Sequence, residues 1–136
     1  MLLDYIRDHQ LNDCVTFLGN LPEERVLEEY GKCAVVALTS FEESAGMVLQ
    51  QAMAAGVPVV ATDVGGIPCI VTDGVTGFIV KLGNIEDLAQ KIAILLNDEN
   101  LRSDLGRRAK EEARERFTAE VIAKRAVDVY RRVIAG

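Results

Sequence analysis

Four short runs of this chain are apolar on consecutive residues rather than on alternate ones: Cys14 to Leu18, Cys33 to Leu38, Val57 to Thr62 and Gly77 to Val80. A strand with one face in water alternates apolar and polar side chains, whereas a strand without alternation has both faces covered. The covering elements lie between the runs. Leu2, Leu3, Tyr5, Ile6 and Leu11 mark a short amphipathic helix, ended by Asn12 and Asp13. Pro22 opens a helix through Tyr30, with Glu23 and Glu24 in the first turn where the helix dipole favours acids. Met47 to Ala55 reads as a helix stopped by Gly56, and the Pro68-bearing segment Ile67 to Thr72 as a short connection ahead of the Asp73-Gly74 turn. From Ile85 onward the period is helical: Leu88, Ile92, Leu95 and Leu96, then Leu101, Leu105 and Ala109, then Ile122, Ala126, Val129 and Val133. Strands of the buried type, each followed by a helix, predict a parallel sheet with helices on both faces. That is a doubly wound, three-layer α/β/α domain of the Rossmann type. With 136 residues, it predicts one domain, 1–136.

Charge and cysteine content narrow the function classes. A net charge of -6 argues against a nucleic-acid surface spread over the molecule. No apolar run approaches the roughly 20 residues a membrane helix needs, and the opening Met1, Leu2, Leu3 reaches Asp4 and Arg7 at once, unlike a signal peptide. Cys14, Cys33 and Cys69 are odd in number and lack CxxC spacing, which predicts reduced thiols in a cytoplasmic protein rather than a disulfide framework or zinc site. His9, the lone histidine, sits between Asp8 and Gln10 and reads as a solvated surface residue.

Ligands of doubly wound sheets bind beyond the carboxyl ends of the strands. Two such ends stand out. Thr39 to Gly46 brings two carboxylates, two serines and a glycine to the start of the Met47 helix. Backbone N–H groups at a helix start form an anion site, and Gly46 permits close approach to the backbone. Glu42 and Glu43 would repel a phosphate but suit the hydroxyl groups of a sugar. The second end is Asp63-Val64-Gly65-Gly66-Ile67-Pro68. A purely structural reading applies to each: Ser44 caps the helix, and the glycines turn the chain.

Together, the run from Ser40 through Glu43, Gln51 and Ala52-Met53-Ala54 to Gly65-Gly66-Ile67-Pro68, continuing to Asp73-Gly74 and Gly77 to Val80, resembles the C-terminal, donor-binding domain of retaining GT-B glycosyltransferases. This is the "glycosyl transferases group 1" set that includes sucrose synthase and bacterial lipopolysaccharide sugar transferases. The resemblance implies a hexosyltransferase that uses a nucleoside diphosphate sugar, without metal or other cofactor. It implies donor-sugar contacts from Glu43, Ala45, Gly46 and Met47, nucleotide and ribose contacts from Gln51 and Val48, and a glycine loop at Gly65 and Gly66. Two positions depart from the pattern: Gln51 and Cys69 both stand where the family carries glutamate, which implies altered donor preference or a degenerate site.

The same resemblance implies that much is missing. Such enzymes have an N-terminal, acceptor-binding domain, and the donor domain opens with two further strands bearing the Arg and Lys that neutralise the diphosphate. In the family, those strands lie between the counterparts of Cys14 to Leu18 and Cys33 to Leu38. The chain is therefore expected to be inactive alone, and to pair those two runs directly, exchange strands with a second copy, or borrow a partner's. A two-fold homo-oligomer is the simplest outcome. As part of a longer enzyme, it is expected in the cytoplasm or at a membrane surface. Arg107, Arg108, Lys110, Arg114 and Arg116, mixed with Glu111, Glu112 and Glu115, read as a salt-bridged helix face. A rival is a non-catalytic assembly module with a decayed site. The second rival, a flavodoxin-like signalling domain, lacks that class's acidic cluster and strand-end lysine.

Overall fold

The structure, a computed structural model, describes residues 2–135. Met1, read with the opening helix, lies outside them. Three parallel strands form the sheet in the order β1 (Val36–Leu38), β2 (Val59–Thr62), β3 (Gly77–Val80). Helices α1 (Leu2–Asp8) and α2 (Glu23–Tyr30) precede β1. Helix α3 (Met47–Ala55) connects β1 to β2, and a 3₁₀ turn (Ile67–Cys69) lies between β2 and β3. Helices α4 (Ile85–Asn97), α5 (Glu99–Arg116) and α6 (Ala119–Ala135) follow.

The period-2 geometry of β2 divides the core. Val59 and Ala61 face a cluster with Tyr30, Leu49, Met53 and Ile67, built by α2, α3 and α5. Val60 faces the opposite cluster with Val80, Leu95 and Leu105, built by α4 and α5. All four residues of β2 are buried, as the absence of polar alternation predicts. Helix α3 buries Leu49, Ala52 and Met53 and ends at Gly56, whose φ of 81° only glycine adopts without strain.

The β1 and β2 runs begin later than their sequence suggests. The register starts with Val36 opposite Val59, and Pro58, lacking an N–H, cannot donate to a ladder. Cys14 to Leu18 is a larger departure: it forms no strand. Val15, Phe17 and Leu18 are exposed, and the backbone is held by turn bonds from Cys14 and Val15 to the Leu11 carbonyl. An extended run needs a neighbouring ladder to satisfy its backbone. Among the described residues β1 pairs only with β2, so the direct pairing of Cys14 to Leu18 with β1 is not observed, and the outer edge of β1 is open.

Candidate functional site

The carboxyl ends of β1 and β2 lead into the two loops singled out above, and those loops lock together through their backbones. Gly66 donates its N–H to the Glu43 carbonyl at 3.0 Å. A Cβ on Gly65 would lie 1.9 Å from the Glu43 carbonyl oxygen, and one on Gly66 2.5 Å from that of Ser44. The glycine pair therefore exists because another strand end passes against it. Beneath the contact, the buried Thr62 hydroxyl donates to the Ser40 carbonyl at 2.7 Å, which ties the β1 loop to β2.

This clamp fixes Glu43 at the start of α3. Its Oε1 accepts from the backbone N–H groups of Ala45 at 3.3 Å and Gly46 at 3.1 Å. Glu43 thus performs the capping that the sequence assigned to Ser44, and no side chain bonds at the Gly46 N-cap as a conventional cap does. The predicted set of open N–H groups is correspondingly smaller: those of Ala45 and Gly46 are engaged. The amides of Met47 and Val48 come before the first bond of the helix, which Leu49 donates to the Gly46 carbonyl at 2.9 Å. Both side chains are exposed. Gly46 has a φ of 51°, and a Cβ there would meet the Ile70 side chain at 2.6 Å, so local geometry alone requires glycine.

A cavity of about 490 Å³ opens over this junction, lined by Phe41, Glu42, Glu43, Ser44 and Gly65. It brings together Glu43 and Gly65 of the predicted residues, and its lining carries two carboxylates and a hydroxyl but no cation. Such a lining accepts hydrogen bonds from hydroxyl groups and leaves a diphosphate to be neutralised from elsewhere. Gln51 lies one turn further along α3, where its Oε1 accepts from the Tyr30 hydroxyl at 3.3 Å. It lines a different cavity, of about 300 Å³, together with Met47, Gln50, Ala54, Arg114 and Phe117. Of the predicted residues, Glu43 and Gly65 thus line one hollow and Met47 and Gln51 another, while Ala45, Gly46, Val48 and Gly66 line neither. Burial of Tyr30 and the charge of nearby Cys33 hold its hydroxyl above the ordinary pKa, so it stays a donor.

Several features were not legible beforehand. Phe41 stands 79% exposed, and only its place between strand end and acidic pair hinted at that. Tyr30 reads as an ordinary core position of α2, yet it orients Gln51. The sequence places Arg116 in a surface charge run. Arg107, Arg108, Asp104 and Glu111 do form such a network, in which the Arg107 hydrogen bond holds the Asp104 carboxyl below its usual range. Arg116 instead reaches the Cys69 carbonyl, pairs with Glu112 and lies over the Phe117 ring. It pins the 3₁₀ turn to the end of α5. The Cys69 side chain is exposed, like Cys14 and Cys33. His9 is exposed, stacked on Tyr5.

A parallel sheet wound by helices, with its two strand-end loops joined at the carboxyl edge, is a Rossmann-like α/β architecture. Residues 1–112 match the family model described as "Glycosyl transferases group 1", and the chain belongs to that family. It is 36% identical over 129 residues to the N-acetyl-alpha-D-glucosaminyl L-malate synthase of Bacillus anthracis, covering 95% of this chain and 33% of the relative. Sucrose-phosphate synthase from Thermosynechococcus elongatus superposes with a TM-score of 0.90 at 31% identity, covering 98% of this chain and 34% of the other. HepE of Anabaena, solved in complex with UDP-glucose, superposes with a TM-score of 0.88 at 30% identity, covering 95% of this chain and 35% of the other. The chain thus spans about a third of the length of these relatives. No helix among the described residues is long and apolar enough to cross a membrane.

Proposed function

We propose that this chain is the donor-binding part of a retaining glycosyltransferase that moves a hexosyl group from a nucleoside diphosphate sugar to an acceptor. The observation that carries the reading is the clamp of Gly65 and Gly66 against Glu43 and Ser44, which sets a carboxylate beside the first turn of α3. Glu43 accepts hydrogen bonds from the sugar hydroxyls, and Ala45, Gly46 and Met47 shape the sugar side. The amides of Met47 and Val48 meet the diphosphate, and Gln51 meets the ribose. Gly65 and Gly66 act by holding the β1 loop in place. The UDP-glucose seen in HepE supports a donor of this class. No metal is invoked, because helix-start amides and basic groups of a complete enzyme stabilise the leaving diphosphate.

In this reading the rest of the enzyme supplies the acceptor domain and those basic groups, and the chain alone is inactive. It works in the cytoplasm or at a membrane surface, with no nucleic-acid partner. The open β1 edge supports association with a second copy. Calorimetry with UDP, GDP and ADP tests the donor site. Binding near a Kd of about 1 mM, or about -4 kcal/mol, is expected for a site without its cations. Absence of heat with every nucleotide at high protein concentration would leave the rival reading, a decayed module altered at Gln51 and Cys69.

A further inference from the structure

The two hollows beside the start of α3 differ in hydrogen-bonding sense. The one over the loop junction carries two carboxylates. The other, of about 300 Å³, has Arg114 as its one ionisable lining residue, with Gln50, Gln51 and Thr118 as its other polar ones. Arg114 forms no ion pair among the described residues. Gln50 is committed, its Nε2 donating to the Ala45 carbonyl at 2.8 Å. Thr118 Oγ1 accepts from the Val121 N–H at 3.3 Å, which leaves its hydroxyl proton to give. Gln51 is set by Tyr30. The Tyr30 ring is buried in the core cluster and cannot swing away, and its hydroxyl donates to Gln51 Oε1 at 3.3 Å. The two ends of a carboxamide point apart, so with Oε1 on Tyr30 the end left for a ligand is Nε2, which only donates. Nε2 has no partner among the described residues. A glutamate at this position would present the opposite: an acceptor oxygen and a negative charge.

We propose that Gln51, held by Tyr30, recognises its ligand as a hydrogen-bond donor, so that the ribose oxygen beside it accepts. This rests on the donor reading above and deepens it. The sugar side of the site takes hydroxyl protons on Glu43, and the nucleotide side gives protons to oxygens. Gln51 is then a specificity-determining residue, and Tyr30 positions it. A free ribose hydroxyl satisfies either an amide N–H or a carboxylate, because it can turn. An ether oxygen satisfies only the N–H.

The test compares UDP with its two ribose mono-O-methyl ethers by amide-detected NMR titration of the whole chain, read also at the side-chain NH2 signals of Gln51. Those signals are expected to shift saturably with UDP. One of the two ethers should bind within about threefold of UDP, since a hollow of about 300 Å³ has room for a methyl group. In Gln51→Glu, both ethers should bind at least about tenfold more weakly than UDP binds the same variant, because an ether cannot donate to the carboxylate and leaves it unpaired. Tyr30→Phe keeps the ring in the core and frees the amide to turn. It should weaken UDP by about threefold and reduce the shift of the Gln51 side-chain signals. Both ethers weaker than UDP by more than about threefold in the unaltered chain, the same ether-to-UDP ratio in Gln51→Glu, or Gln51 side-chain signals untouched by saturating UDP would overturn the inference. A Tyr30→Phe chain with unchanged affinity and unchanged Gln51 signals would overturn the role of Tyr30. A parallel UDP-glucose titration keeps the two claims apart: saturable shifts from Glu43 to Val48 alongside any of those results remove only this inference, whereas silence toward both UDP and UDP-glucose removes the donor reading with it.

Discussion

Replacing Gly65 with alanine probes the clamp on which the site depends. Gly65 has a φ of 51°, and a Cβ there would fall 1.9 Å from the Glu43 carbonyl oxygen. Left-handed backbone costs a non-glycine residue about 1 kcal/mol. The contact is with backbone, so no side chain can swing aside; the two loops must part. Parting them breaks the bond from the Gly66 N–H to the Glu43 carbonyl, worth about 1 kcal/mol, with a further cost of about 1 kcal/mol if either group stays buried and unpaired. The expected loss is therefore about 3 kcal/mol of unfolding free energy, from urea melts followed by circular dichroism. Gly74→Ala is the matched control. Its φ is 72°, and a Cβ there would meet nothing within 4 Å, so it should cost only the backbone component of about 1 kcal/mol. Equal losses for the two variants would show that close approach of the loops contributes nothing, and the account of the site would fail with it.

Other substitutions and measurements reach different parts of the account. Tyr30→Phe removes the donor to Gln51 and should cost about 1 kcal/mol. Because the Tyr30 pKa is raised in the folded chain, its contribution is complete below the ordinary tyrosine pKa and is lost as pH climbs through the folded value. The alkaline fall in stability should therefore be shallower in Tyr30→Phe, and an unchanged alkaline limb would refute that origin. Arg116→Gln frees the Cys69 carbonyl and the 3₁₀ turn, and should speed amide exchange at Ile70 and Val71; unchanged exchange would mean the turn holds itself. The open β1 edge predicts a light-scattering mass near twice 14.8 kDa, and a single 14.8 kDa species at all concentrations would exclude the dimer.

How far the chain discloses itself depends on whether a feature is local. The limits of α3 and β3 follow from Gly56, Asp73-Gly74 and the apolar runs themselves, and the structure agrees with them residue for residue. Cys14 to Leu18 carries the same apolar signature as β2, yet it has no ladder neighbour among the described residues, and a strand is defined by its neighbour. The site divides in the same way. That Gly46, Gly65 and Gly66 stand at a helix start and a strand end is readable from the sequence. What opposes them is not: Ile70, Glu43 and Ser44 are brought there by folding. Glu43 stands out in the sequence as a candidate carboxylate at the start of α3, but its bonds to the Ala45 and Gly46 amides depend on a loop shape that residue types do not encode. Gln51 departs visibly from the family's glutamate, while the Tyr30 hydroxyl that holds it comes from another helix.

The central claim is that donor binding centres on the clamped loops at the start of α3. Amide-detected NMR titration of the whole chain with UDP-glucose tests it residue by residue. The account predicts saturable shifts at Glu43, Ala45, Gly46, Met47 and Val48, accompanied by Gly65, Gly66 and Gln51, with a Kd of about 1 mM. Gly46→Val should abolish them, because a branched side chain at a left-handed φ distorts the start of α3. Shifts confined to other parts of the molecule, or none at millimolar ligand, would contradict it.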